Sequence, residues 1–224
     1  VVSLNMLGVV YRRMDLVRSA LDYHSEALKL ANAETNPSKD LRRSIAVSQN
    51  SIGNIYLALK QYDLALVHFN KSLVIERELD NKLGLAINYH NIGYAKEGKG
   101  LLEEASFDYK TSLDYNLEIQ SKIGEVICYN SIGQIYIKQG KLSIAEIMIK
   151  QALEKALKTE DQYYIAPSYI NLGWVQYELD EFEDAEKNIK KGLVIAEKSS
   201  LKSPLIEAHK HLSILNERRG DFDI

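Results

Sequence analysis

One glycine recurs through this chain on a nearly fixed period: Gly8, Gly53, Gly93, Gly133 and Gly173, at spacings of 45, 40, 40 and 40 residues. A large aliphatic residue precedes each one (Leu7, Ile52, Ile92, Ile132, Leu172), and an alanine follows twelve residues later (Ala20, Ala65, Ala105, Ala145, Ala185). Four residues beyond the alanine stand His24, Phe69, Tyr109, Ile149 and Ile189, and three further on Ala27, Ser72, Ser112, Ala152 and Gly192. Such a register restricts the chain to repeat architectures, in which each unit buries its apolar face only against its neighbours. Within a unit the apolar and small positions step by three and four, the mark of amphipathic helices. Turn signals divide each unit in two: Lys60-Gln61, Gly98-Lys99-Gly100, Gly140-Lys141 and Asp180-Glu181. A second set joins the units: Asp80-Asn81-Lys82, Gln120-Ser121-Lys122 and Glu160-Asp161-Gln162. Each unit therefore reads as helix A, turn, helix B. The glycine and the alanine are placed where helices approach closely, and the large residue beyond is placed between adjacent units.

Composition supports this and excludes other classes. The chain has 224 residues, 46% of them hydrophobic, and only three prolines, which suits long helices. A formal charge of −3 argues against nucleic-acid binding by this segment, and no apolar run reaches the length of a membrane span. With one cysteine, Cys128, no internal disulfide is possible; on a helix A beside Tyr129 it reads as a small buried hydrophobe. No phosphate loop, zinc-protease, serine-hydrolase or dinucleotide motif occurs. Two of the five histidines, His209 and His211, are two apart and point to different helix faces, a poor metal pair. No cofactor, metal or catalytic residue is therefore expected.

The strings Leu7-Gly8-x-x-Tyr11 with Ala20 and Ala27, and Ile52-Gly53-x-x-Tyr56 with Ala65-x-x-x-Phe69, resemble the tetratricopeptide repeat. The usual period is 34 residues; here it is 40, and the proline that closes a unit is absent. Both departures fit longer helices, and they resemble the subgroup found in bacterial peptide-sensing regulators and sensor-kinase repeat regions. The resemblance implies an all-α, right-handed superhelical solenoid. Its repeats cover about 1–39, 40–80, 81–120, 121–160 and 161–200, with an extra helix over 203–219 and a turn at Gly220-Asp221-Phe222. The polar stretch Ala33 to Asp40 reads as a lengthened connection, Ser203-Pro204 as an N-cap with proline at the first helical position, and Pro167 as a first-turn residue or a kink. The single solenoid, lacking polar caps at its ends, reads as part of a longer protein.

Function is then sought on the A helices, which line the concave side of such solenoids. Three residues before each glycine are Asn5, Asn50, His90, Asn130 and Ile170; one after are Val9, Asn54, Tyr94, Gln134 and Trp174. These positions are four apart and share a helix face. They form a column of amides and rings, with Lys138 near the far end. Amides donate and accept, so a ladder of them can hold an extended peptide backbone without demanding its sequence. The expected binding residues are Asn5, Asn50, Asn54, His90, Tyr94, Asn130, Gln134, Lys138 and Trp174. The other reading is that Asn91 and Asn171, one residue along, mark amides that cap helices or tie neighbouring ones. The sequence thus points to a peptide- or protein-binding module, sensory or scaffolding, of a cytoplasmic or periplasmic bacterial regulator. The alternatives are a scaffold that self-associates as a homodimer through a solenoid end, and, third, an enzyme.

Overall fold

The computed structural model describes residues 1–14 and 16–220, the Arg13 side chain aside. The expected turn residues Asp221 and Phe222 lie outside them. The described residues form eleven α-helices: α1 Val2–Arg13, α2 Val17–Asn32, α3 Lys39–Ala58, α4 Tyr62–Glu78, α5 Lys82–Gly98, α6 Leu102–Glu118, α7 Lys122–Lys138, α8 Leu142–Leu157, α9 Gln162–Glu178, α10 Phe182–Lys198 and α11 Lys202–Arg219. Odd-numbered helices are the A helices and even-numbered ones the B helices. The chain divides into two compact units, residues 1–115 and 116–224, with the boundary inside α6.

The repeat is finer than the glycines reveal. A residue in the left-handed conformation stands at 60, 80, 100, 120, 140, 160, 180, 200 and 220, every twentieth position. Three of these are glycines; the others are Lys60, Asp80, Gln120, Glu160, Asp180 and Ser200, with φ between 51° and 63°. Seven of them, at 60, 80, 100, 120, 140, 180 and 200, end a helix in the same way, while after Glu160 the Asp161 N–H donates to Thr159 Oγ1 instead (3.2 Å). At Lys60 its own N–H donates to Leu57 O (2.9 Å) and the next N–H, of Gln61, donates to Tyr56 O (2.9 Å). This is the Schellman arrangement, which satisfies the last carbonyls of the helix. The following helix starts at once, with Ala65 N–H on Gln61 O (3.0 Å). A unit of 40 is therefore two similar halves of helix plus a turn of three residues, four between α8 and α9, and no closing proline is needed. The A helices α3, α5, α7 and α9 carry side-chain caps: Ser38, Asn81, Ser121 and Asp161 accept from the backbone N–H of Leu41, Gly84, Gly124 and Tyr163. The B helices α4, α8 and α10 have none.

Packing within a pair centres on the repeated glycine. A Cβ on Gly53 would lie 2.5 Å from the Phe69 ring, and one on Gly173 would lie 2.5 Å from Ile189 Cγ1 and 2.7 Å from Ala185 O. The large residue sixteen positions on thus covers the glycine of its own pair. It also meets the next A helix, since Ala65, Phe69 and Leu73 cluster with Leu85, Ile92 and Ala95. All five alanines of the register are fully buried.

Two sequence expectations shift. Helix α11 begins at Lys202 with Leu201 as N-cap, so Ser203 lies inside it and Pro204 sits buried in its first turn. Pro167 lies past the first turn of α9, which runs on through it. The connection expected over Ala33 to Asp40 is shorter: residues 33–38 join α2 to α3, and Lys39 and Asp40 open α3 behind the Ser38 cap.

Replacing a left-handed non-glycine removes a Cβ clash of about 1 kcal/mol. Glu160→Gly should therefore raise the thermal midpoint, although glycine also loosens the unfolded chain. Gly173→Ala should lower stability by about 1–3 kcal/mol, because its new methyl meets backbone that cannot yield. Thermal and urea unfolding of both variants measures this, and a neutral Gly173→Ala would contradict the packing described.

Candidate functional site: amide ladders on the A helices

Two hydrogen-bonded amide ladders occupy the A-helix face, one in each unit. In the first unit Asn54 Nδ2 donates to Asn50 Oδ1 one turn earlier on α3 (2.9 Å). Asn50 Nδ2 donates across to Asn88 Oδ1 on α5 (3.0 Å), and Asn91 Nδ2 reaches Asn50 Oδ1 at 3.5 Å. The buried Asn88 passes the chain on, donating to Ser72 Oγ on α4 (3.0 Å) and to Gly84 O (2.9 Å). Ser72 in turn donates to Ala46 O on α3 (2.9 Å). One connected network ties α3, α4 and α5.

The second unit repeats the scheme. Asn130 Nδ2 donates to Ser168 Oγ (2.9 Å), which donates to Tyr164 O (2.9 Å). Asn171 Nδ2 donates to Asn130 Oδ1 (2.9 Å), and Gln134 Nε2 donates to Asn171 Oδ1 (2.8 Å). The separations coincide: 38 residues for Asn50–Asn88 and Asn130–Ser168, 41 for Asn50–Asn91 and Asn130–Asn171. Asn91 and Asn171 are the amides that tie neighbouring A helices. The outermost amides, Asn54 and Gln134, are half-buried and bonded through nitrogen. Among the described residues nothing donates to Asn54 Oδ1 or Gln134 Oε1.

The other expected residues are placed differently. Asn5 is buried and committed to packing: it accepts from Ser48 Oγ (2.8 Å), bonds His24 Nδ1 (2.9 Å) and donates to Ser44 O (3.2 Å). The His90 ring lies 5.0 Å from that of Tyr109. Tyr94 is exposed, as is Lys138. Trp174 is stacked on Tyr177 (4.8 Å) and on His211 of α11 (4.2 Å), so its ring faces are occupied. The partners that sequence reading missed, Ser48, Asn88 and Ser168, all stand five residues before a glycine. The same column holds Cys128, which is buried with Asn116 Nδ2 at 3.5 Å. Small polar residues recurring there were the available signal.

Burial keeps His24, His90 and His211 neutral. His24 and His211 are each lowered to about 4, first by desolvation and then by a neighbouring cation, Arg12 or Lys210. Desolvation also lowers His90 to about 4, opposed by Glu97. In contrast, burial raises the carboxyls of Glu76 and Asp108, against the pull of Asn81 and Lys96. Among the described residues no three His, Cys, Asp or Glu side chains are grouped to hold a metal, and no helix is long and apolar enough to cross a membrane.

The sequence model of one family, described as tetratricopeptide repeat, matches residues 44–118 and 124–198. No curated protein matches by sequence. Among solved structures, the Rap conjugation gene regulator of plasmid pLS20, in complex with the Phr* peptide, is similar at a TM-score of 0.76 and 16% identity. That match covers 96% of this chain and 62% of the regulator. Aspartyl phosphate phosphatase F from Bacillus subtilis gives 0.73 and 17%, over 96% of this chain and 58% of its own. BtubC from P. vanneervenii gives 0.74 and 19%, over 88% and 80%.

Two outcomes follow from this geometry. Asn88→Ala should cost about 1–3 kcal/mol, since it leaves Ser72, Gly84 O and Asn50 short of partners, whereas Asn54→Ala should cost under about 0.5 kcal/mol; denaturant unfolding compares them. The second concerns acid. The three histidines bind protons more weakly folded than unfolded, so the stability tied to their neutrality is complete above pH 6.5 and is lost as pH falls toward 4. Glu76 and Asp108 act in the opposite sense. The thermal midpoint should drop between pH 7 and pH 5, and His24→Phe, which copies Phe69 of the next repeat, should shrink that drop. An unchanged drop would contradict the assignment.

Proposed function

The chain belongs to the tetratricopeptide repeat family, and from that premise we propose that it is a peptide- or protein-binding module, the sensory or scaffolding region of a bacterial signalling regulator. The single observation carrying this reading is the pair of outer amides. Asn54 and Gln134 occupy the same register position in the two units. Each is oriented by a bond through its nitrogen, and each keeps a carbonyl oxygen that the described residues do not use. A side chain fixed in this way recognises a backbone N–H at low entropic cost. In the first unit the exposed Tyr94 ring, one repeat beyond Asn54, adds a stacking surface. In the second, Lys138 adds a cation one turn beyond Gln134. The Phr* peptide bound by the similar pLS20 regulator supports a peptide as the occupant.

In this assignment Asn50 and Asn171 orient the outer amides while holding helices together, Asn130 backs Asn171, His90 shapes the floor beside Tyr109, and Asn5 and Trp174 serve packing. We propose the cytoplasm as its compartment, with a periplasmic sensor region as the other reading.

The test uses short random peptides panned on the purified chain, with the recovered peptide labelled for fluorescence anisotropy. Asn54→Ala should weaken peptides held by the first unit, and Gln134→Ala those held by the second, about tenfold, near the roughly 1.4 kcal/mol of one hydrogen bond, with helicity unchanged by circular dichroism. Full affinity in the double variant would overturn the reading.

A further inference from the structure

The first two repeats meet across a seam that is joined differently from the later ones. The connection of residues 33–38 holds no left-handed residue, so α2 is not drawn onto α3 by the short turn used elsewhere. A cavity of about 310 Å³ lies between α2, α3 and α4, at the low end of the range that small-molecule sites occupy. Both of its sides belong to this chain. Leu21 and Leu28 on α2 stand in register with Leu66 and Leu73 on α4, which pack on Leu85 and Ile92 of the next A helix. In that later seam the two polar positions beyond, Lys96 and Asp108, spend their charge on each other (2.8 Å), with Glu104 also on Lys96 (3.3 Å). At the same positions of the fifth repeat Asn188 donates to Gln176 (2.7 Å). In the second repeat these positions hold Tyr56 and His68, whose rings stack at 5.4 Å.

The walls of the cavity are of two kinds. Leu21, Leu28 and Ile52 give an apolar floor. Ser25, Lys29 and Asn32, at steps of four and three along α2, give donors, and Lys29 is the one charged side chain that lines the cavity. His68 supplies an acceptor held in place. Its Nδ1 lies 2.7 Å from Oε1 of the buried Gln49, an oxygen that only accepts, so Nδ1 carries the ring proton and Nε2 the lone pair. The Tyr56 stack holds the plane of the ring. Burial, with Lys71 nearby, lowers the affinity of the ring for a second proton, which keeps Nε2 an acceptor at neutral pH. Among the described residues no side chain pairs with Ser25, Lys29, Asn32, the Tyr56 hydroxyl or His68 Nε2.

We propose that this cavity binds a small organic carboxylate with a hydroxyl beside the acid group and a short apolar tail, an α-hydroxy acid. The carboxylate meets Lys29, with Ser25 and Asn32 as further donors. The hydroxyl donates to His68 Nε2, and the tail lies on Leu21, Leu28 and Ile52. One charge-assisted bond, one oriented neutral bond and an apolar floor suit a ligand of few atoms. An amino acid fits less well, because its ammonium brings a second cation to Lys29 where no carboxylate lines the cavity. Ile52 and Tyr56 lie two residues along from Asn50 and Asn54, on the other side of α3. Binding here is therefore independent of the peptide reading.

The probe is α-hydroxyisocaproate, titrated into the full chain and followed through the ring nitrogen resonances of His68, which are assigned by their loss in His68→Gln. Saturable movement of the Nε2 resonance is expected, with a dissociation constant of about 1 mM or below. Isocaproate, which lacks the hydroxyl, should bind about tenfold more weakly and leave Nε2 in place. Lys29→Gln in the chain should weaken the hydroxy acid about tenfold as well. Lys29 is exposed, so its substitution leaves the fold intact, which circular dichroism checks. Asn54→Ala should leave this binding unchanged, which separates it from the amide site. No saturable movement, equal binding of isocaproate, or full affinity in Lys29→Gln overturns the inference. So does tighter binding of L-leucine than of the hydroxy acid, since the cavity would then favour an ammonium.

Discussion

The left-handed residue at every twentieth position is the constraint on which the rest depends. A turn that ends one helix and starts the next within three residues leaves no slack in the connection. Helices of equal length, joined by equal turns, return each register position to an equivalent place one repeat later. Only then can Asn50 find Asn88 in one unit and Asn130 find Ser168 in the other across the same 38 residues. Six of the nine left-handed positions carry a side chain. Each costs on the order of 1 kcal/mol relative to the right-handed region, offset by the helix that follows and, at all but Glu160, by the two capping bonds.

Within this frame apolar and polar contacts divide the work. The covered glycine and the alanine twelve residues on bring helices together without direction. The amides supply the direction. A buried amide is favourable only when its partners are in place, because an unpaired one keeps its desolvation penalty. A ladder of Asn50, Asn88 and Ser72 therefore penalises any slip of α5 along α3, where an apolar seam alone would tolerate it. The buried Asn88 makes three bonds from one side chain, which makes it a register pin more than an adhesive.

Much of this was legible in the residues. The glycine and alanine columns are small side chains in a periodic place, and close packing is the reason for both. Asn50, Asn54, Asn130 and Gln134 were visible because two columns four apart fall on one face. The pins Ser48, Asn88 and Ser168 were not, since serine, asparagine and cysteine at one position do not look alike until a shared partner shows their common role. The turns were legible as breaks, but not as left-handed residues: Lys60, Gln120 and Glu160 are ordinary helix formers, held in place by the flanking helices. Trp174 looked like a groove residue by register alone. Its ring is instead stacked against His211, a contact from α11 that no spacing within the repeat encodes.

The ladders also bear on how recognition and stability coexist in so regular a fold. Asn50 accepts from Asn54 while donating to Asn88, so the outer amide is the end of a chain whose other end is fixed in the helix core. A donor placed against Asn54 Oδ1 polarises that amide and strengthens the bonds behind it. By linkage, whatever tightens the contact between α3 and α5 tightens the hold on such a donor equally. The same relation holds in the second unit through Gln134, Asn171 and Asn130. On the proposed reading, alanine substitutions at the inner amides change both helix packing and recognition, whereas Asn54→Ala, whose bond stays within α3, changes recognition alone.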